Sequence, residues 1–441
     1  MKLNWWKIGG VMFFTCFPVF VLGQAQYQVL YSFGADGFLN SGSSIDGGSP
    51  NEGLIFDRAG NIYGTTEEGG PVSCSTGYGC GTVFELSPQP GGGWAQTVLF
   101  NFCTSTGDPK TCPEGAYPLV GLLMDKAGNL YGTTDQGGTG FGVVFELSPP
   151  SAPGAAWTQT ILFTAVCCGG GLYPDNQLTM DSSGNLYGTS SGGGVLGAGN
   201  VFELSPPGGQ GGEWTQTVLY TFCQSGEPCT DGQDPAGGVV FDRAGNLYGA
   251  TTLGGANSNG VIFELSPGGN GGWTETVLYT FDSSGQRGEL PVGDVALDSE
   301  GNIYGSAFAG GQERVKYCDD WTKHCGGIFR LLKNANWKEQ FFPFSGFNGG
   351  APIASVYLDE PNRIAYGVTE LGGAQAQGAV YGLTESSETL LYSFCSLPNC
   401  ADGWEPGEGG ALVKRGGNLY GTAQGGGTYG YGPGVVFEIT Q

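Results

Sequence analysis

The sequence predicts an all-β fold, a seven-bladed β-propeller with four antiparallel strands per blade, and three observations carry that prediction. One short phrase returns seven times: Gly60-Asn61-Ile62-Tyr63-Gly64, then residues 128–132, 184–188, 245–249, 301–305, a loosened Asn362-Arg363-Ile364-Ala365-Tyr366-Gly367, and residues 417–421. From tyrosine to tyrosine the steps are 68, 56, 61, 56, 62 and 54 residues. A period of this length belongs to units that cannot bury their own apolar face and must stack on copies of themselves. Each copy sits among four β-type runs in fixed order, the content of one propeller blade. The chain also opens on a lone fourth run, Tyr27-Gln28-Val29-Leu30-Tyr31-Ser32-Phe33, and ends just after a third run, at Gln441. The N-terminal strand is therefore expected to complete the C-terminal blade, closing the ring and removing its open edges.

The elements follow one another in the same way in every unit. A first run ends in aspartate, as in Gly53-Leu54-Ile55-Phe56-Asp57 and Gly238-Val239-Val240-Phe241-Asp242. Asp-x-x-Gly-Asn then makes a tight turn, the Asp opening it and the Gly taking the position of positive φ. These aspartates also allow a calcium reading, but a turn explains them without an ion. The tyrosine phrase is the second run and Thr82-Val83-Phe84-Glu85-Leu86 the third, with counterparts at 143–147, 201–204, 261–265, 327–331, 379–383 and 435–439. The fourth begins at a tryptophan in five units (Trp94, Trp157, Trp214, Trp273 and Trp337), whereas the sixth unit's run, 389–394, lacks it. Gly-x-x-Pro, as in residues 47–50 and 232–235, leads into each innermost strand, with proline fixing φ just ahead of it. With 86 Gly and 24 Pro, no stretch after residue 26 keeps a 3.6-residue apolar period, so helix is not expected.

The pattern Gly-Asn-Leu-Tyr-Gly-Thr-Thr, then Gly-Gly, then Gly-x-Val-Phe-Glu-Leu-Ser-Pro resembles the GloVer tandem-repeat proteins, bacterial surface or secreted chains of the choice-of-anchor type. It covers nearly all of residues 27–441. The sixth unit departs from it, with Ile364-Ala365-Tyr366 and Tyr381-Gly382 where other units have Leu-Tyr and Phe-Glu. The resemblance implies a repeat fold and a surface or secreted location, and leaves activity open.

Residues 1–25 read as a secretory signal, and 26–441 as a single propeller domain. Lys2 and Lys7 precede an uncharged apolar stretch of residues 8–22, followed by the small residues Gly23 and Ala25. The stretch is short for a membrane span, so the mature chain is expected to lack an integral one. Twelve cysteines follow the leader, which suits an oxidising compartment, and they fall in close pairs: Cys74/Cys80, Cys103/Cys112, Cys167/Cys168, Cys223/Cys229, Cys318/Cys325 and Cys395/Cys400. Local disulfides are the expected use. Zinc prefers Cys-x-x-Cys spacing or histidine partners, and the chain has one histidine, His324. No metal or cofactor is expected.

Every pair lies between a fourth and the next first strand, or between a second and a third. In a propeller these connections emerge on one face and the Asp-x-x-Gly-Asn turns on the other. One face is thus stapled and variable, which is where binding residues on a rigid scaffold concentrate. Candidate ligand contacts there are Tyr117, Trp321, Trp404, Tyr429, Asp231 and Asp402, flat apolar rings beside acceptors that suit a glycan or a protein. The formal charge of −24, or −26 without Lys2 and Lys7, repels phosphate backbones and anionic lipid, so nucleic acid and membrane surfaces are poor partners. A monomer is expected. No catalytic motif emerges: a Ser-His-Asp arrangement would depend on His324 alone, and Glu67/Glu68 are adjacent in one loop. The function expected is a non-catalytic binding module of the cell surface or exterior. The alternative is a propeller hydrolase or lyase acting on polysaccharide.

Overall fold

A computed structural model describes residues 25–37, 44–50, 53–74, 77–105, 107–152, 154–166, 171–174, 176–194, 196–209, 212–269, 271–311, 325–385, 387–407, 412–428 and 432–440. Residues 1–24 of the expected leader, Cys167 and Cys168 lie outside them. Seven antiparallel sheets of four or five strands form a ring, the seven-bladed propeller read from the sequence. Blade 1 contains Ile55–Phe56, Ile62–Thr66, Thr82–Pro88 and Trp94–Asn101 in order from the axis outward. Blades 2 to 6 repeat this order, their second strands being Leu130–Thr134, Leu186–Ser190, Leu247–Leu253, Ile303–Gly310 and Ile364–Thr369. Among the described residues helix is limited to two three-residue 3-10 turns, Lys333–Ala335 and Pro398–Cys400.

Blade 7 is built from both ends of the chain. Gln26–Ser32 pairs antiparallel with Val435–Thr440, Tyr27 opposite Ile439 and Ser32 opposite Val435, and becomes the outermost strand. Packing fixes this register: Tyr27 stacks on Tyr392 of blade 6 at 3.9 Å, and Leu30 and Phe33 are buried against blade 1 residues Leu54 and Phe84. The N-terminal strand therefore belongs to the cores on both sides of the closing blade.

The second strands of blades 1 to 3 are buried along their whole length, flanked on both faces by neighbouring blades. Their central glycine makes room for a phenylalanine on the third strand: a Cβ on Gly64 would meet Phe84 at 2.7 Å. Between blades, hydroxyls on the second strand reach the next innermost strand. Thr65 donates to the Val120 carbonyl, Thr189 to Gly237 and Ser306 to Ala354, at 3.2, 2.8 and 2.7 Å. These bonds satisfy the backbone of strands as short as two residues, which have few ladder partners of their own.

Candidate ligand-binding face

The turns on one face are alike in blades 1 to 5. Asp57 accepts from the Gly60 and Asn61 backbone and from the Asn61 side chain at 2.7, 2.8 and 2.8 Å, with the Tyr63 hydroxyl at 3.4 Å. Asp242 receives the same set from Ala244, Asn246 and Tyr248. Burial opposes ionisation of Asp242, but the Asn246 and Ala244 donors outweigh it and hold the carboxyl below its usual range. Burial and the charges of Glu85 and Asp57 push the Tyr63 phenol up to about 12. Such a carboxylate is occupied by its own turn, so the calcium reading finds no free ligand set here.

The opposite face carries the staples. Cys74–Cys80, Cys103–Cys112, Cys223–Cys229 and Cys395–Cys400 are disulfides, separated by 6, 9, 6 and 5 residues. Cys325 is buried and disulfide-bonded, and its expected partner Cys318 lies outside the described residues. The sulfurs of Cys74, Cys80 and Cys103 lie within 4.8 Å of one another because two disulfides pack side by side. Sulfur engaged in disulfides is not the thiolate that a metal needs.

The candidate side chains divide by what their loops ask of them. Asp402 is fully buried and accepts from the Tyr392 hydroxyl and the Ser396 and Leu397 backbone at 2.6, 2.8 and 3.0 Å. Asp231 accepts from the Tyr220 hydroxyl and the Cys223 backbone at 2.8 and 2.9 Å. Asp46 does the same for Tyr31 and Gly34. A fourth-strand tyrosine and a loop carboxylate thus brace this connection at three junctions. The signal was in the sequence: an acid stands directly before the glycine of Gly-x-x-Pro in Asp46-Gly47, Glu114-Gly115, Asp231-Gly232 and Asp402-Gly403.

Tyr117, expected to be an exposed ring, is buried in the cluster around the Cys74–Cys80 and Cys103–Cys112 bridges. Trp404 is half-buried on the strand Trp404–Pro406, lying over Gly425, where a Cβ would collide with the indole. Trp321 and Tyr429 lie outside the described residues. Of the described candidates, Asp402 and Trp404 share the connection into blade 7, while Tyr117 and Asp231 stand at two other junctions of the same face.

A stronger grouping was missed. Among the described residues nine large hydrophobic side chains are exposed, and seven of them lie toward the stapled face: Ile45, Tyr78, Val166, Leu196, Phe347 and Leu397 on its connections and Leu253 at the end of the strand Leu247–Leu253. Phe347 is 61% exposed and Leu196 52%. The other two, Val218 and Leu390, sit on outer strands. Loop residues carry no periodic signal, so their exposure cannot be read from spacing.

The innermost strands present one equivalent position per blade toward the axis. Of the equivalent described positions Gly53, Gly121, Gln177, Gly238, Asp294 and Ser355, only Asp294 is charged. Its carboxylate accepts from the Gly238 backbone at 2.6 Å, and burial pushes it up to about 6 against that bond.

Among the described residues no helix is long and apolar enough to cross a membrane. The Gloeobacter/Verrucomicrobia repeat matches residues 111–318, and no curated protein matches the chain. Among solved structures, a fungal alcohol oxidase of the AA5 family in complex with copper aligns with a TM-score of 0.50 at 12% identity, over 94% of this chain and 76% of that one. PorZ, an essential surface component of the type-IX secretion system of Porphyromonas gingivalis, aligns with a TM-score of 0.47 at 13% identity, over 88% of this chain; the chain spans 46% of PorZ. A PL25 ulvan lyase has a TM-score of 0.45 at 11% identity, over 90% and 89%. At these identities the likeness is one of fold. Residues 111–318 thus carry the Gloeobacter/Verrucomicrobia repeat, and the same phrase recurs on both sides of the matched stretch.

Proposed function

We propose that the protein is a secreted or cell-surface binding module, exported by the leader 1–25, that engages an extracellular partner through its stapled loop face. The observation that carries this reading is the concentration of exposed large hydrophobics on that face. Full burial of such a side chain is worth roughly 1.5–3 kcal/mol, and a partner that covers these partly exposed ones recovers a share of it. Five of the seven are aliphatic, so the surface suits a protein better than a glycan, whose rings stack on aromatic platforms. Trp404, Trp321 and Tyr429 would add aromatic contacts on the same rim, with Tyr117, Asp231 and Asp402 fixing loop shape. The axis supports binding over glycoside hydrolysis, since the described positions named above offer one carboxylate where acid and base work takes two.

The test is capture of partners from the producing cell's secretome, beside a glycan screen, followed by affinity measurements on variants. Phe347→Ala and Leu196→Ala are expected to weaken the captured partner about tenfold or more, and Trp404→Ala similarly. Asp242→Asn on the turn face is expected to leave the affinity of folded protein unchanged. Loss of binding through the turn-face variant alone would reject the assignment, and a glycan captured in place of a protein would reject the partner class.

A further inference from the structure

Five of the seven blade junctions are sealed on the turn face by the same contact. The tryptophan that leads a fourth strand packs against the second-strand tyrosine of the preceding blade. Ring centroids of Trp157 and Tyr63 are 6.4 Å apart and those of Trp273 and Tyr187 6.5 Å. Trp94, Trp214 and Trp337 join the clusters of Tyr420, Tyr131 and Tyr248. Blade 6 has no tryptophan between Leu383 and Phe394, so Tyr304 of blade 5 receives no indole. A second change falls at the same junction. The third-strand residue paired with the tyrosine is glutamate in five blades, as in Tyr63 with Glu85 and Tyr248 with Glu264, but it is Arg330 opposite Tyr304 and Gly382 opposite Tyr366.

A cavity of 130 Å³ lies at this junction, between blades 5 and 6. Arg330 lines it, its guanidinium 5.2 Å from the centre of the Tyr304 ring and its side chain only 15% exposed. Its Nε is buried without a hydrogen-bond partner, and the nearest carboxylate oxygen, on Asp298, stands 3.9 Å from Nη2. The neighbouring acids have closer partners than Arg330. Asp298 accepts from the Glu300 and Asn302 backbone and the Asn302 side chain at 3.0, 2.8 and 2.8 Å. Asp359 is held by Lys414 at 2.6 Å and Asn362 at 2.8 Å, and Glu385 by Arg363 at 2.9 Å. A buried, charged donor beside an unfilled cavity calls for an acceptor, and the planar guanidinium fork matches a carboxylate.

Phe342, Leu358 and Ile364 supply an apolar wall, and Glu300 and Glu360 are exposed at the rim. Those rim charges repel a bare anion and favour a ligand that also carries hydrogen-bond donors. We propose that the cleft between blades 5 and 6 binds the carboxylate of a small hydroxy- or amino-carboxylate, held by Arg330, with donors turned toward Glu300 and Glu360. The site lies on the turn face and is independent of the stapled-face reading.

Calorimetric titration with D-glucuronate and with L-leucine tests it, D-glucose and 3-methylbutylamine serving as counterparts without the carboxylate. At least one carboxylate is expected to bind about tenfold or more tightly than its counterpart, and which one does so identifies the source. Arg330→Glu installs the residue that five other blades carry at this position and is expected to abolish that binding. Arg330→Gln, neutral and close in length, gives a second reading of the same loss should the glutamate variant not fold. Failure of both carboxylates, equal binding of a counterpart, or undiminished binding in a folded Arg330 variant would overturn the assignment.

Discussion

Asp242 shows how much a single turn residue does in this fold. Its carboxylate takes the Ala244 and Asn246 backbone donors and the Asn246 amide. Asp242→Ala would strand those donors at the mouth of a hairpin whose first strand, Val240–Phe241, is two residues long. The expected cost is about 1–3 kcal/mol in a denaturant titration, with no change in partner affinity. This role was legible because Asp-x-x-Gly-Asn is a self-contained turn. The roles of Asp231 and Asp402 were not, since their donors, Tyr220 and Tyr392, reach them only after the loop has closed. Glu388 supplies a pH signature. One oxygen accepts from Asn348 at 2.7 Å, the other is buried without a partner, and burial pushes the carboxyl from 4.5 up to about 8. A carboxyl whose pKa is raised by folding costs stability once ionised. The cost is absent below pH 4.5, grows through the window up to about 8, and is complete above it. Glu275 and Glu68, each raised to about 7, act in the same direction. Asp242 acts in the opposite one, because its lowered pKa gives stability that is lost as pH falls below 3.8. Melting temperature is therefore expected to rise from pH 9 to pH 5 and then to fall, and Glu388→Gln is expected to flatten the upper limb. An unchanged upper limb in that variant would contradict the role given to Glu388.

At the scale of elements, each disulfide closes a loop between strands that already have their ladder partners. Closing 5 to 9 residues removes little entropy from the unfolded chain, so each bridge is expected to contribute about 2 kcal/mol, chiefly ordering its loop. Non-reducing peptide mapping is expected to return the four local pairs, and reduction to lower the melting temperature modestly while raising proteolysis in the stapled loops. A peptide joining cysteines of different loops would contradict the pairing. Strand content and order were legible because every unit repeats the same alternation around its tyrosine. The cleft at blades 5 and 6 was not. The missing tryptophan and Arg330 are both visible as departures, but they belong to different units. They meet only because each fourth-strand tryptophan packs backward onto the preceding blade.

Across the whole molecule, the closing blade is fastened to both of its neighbours. Lys414 donates to Asp359 of blade 6 at 2.6 Å and lies 5.0 Å from the centre of the Tyr366 ring, while Arg415 donates to the Asp57 carbonyl of blade 1 at 2.7 Å. Lys414→Met leaves Asp359 half of its partners in a largely buried site, and a loss of about 2–4 kcal/mol is expected by denaturant titration. The ring needs such fastening because a propeller blade alone exposes both faces and both edges, so stability is shared through neighbour contacts. Pairing of the N-terminal strand with residues 435–440 was legible from a simple mismatch, one fourth run too many at the start and one too few at the end. The account rests most heavily on that closure. Its most direct measurement is the thermal melt of a chain lacking residues 26–33. That deletion removes the buried Leu30 and Phe33 and uncovers Val436 and Phe437. The expected result is a melting temperature lower by about 10 °C or more, or loss of cooperative folding. An unchanged, cooperative melt would contradict the closed ring.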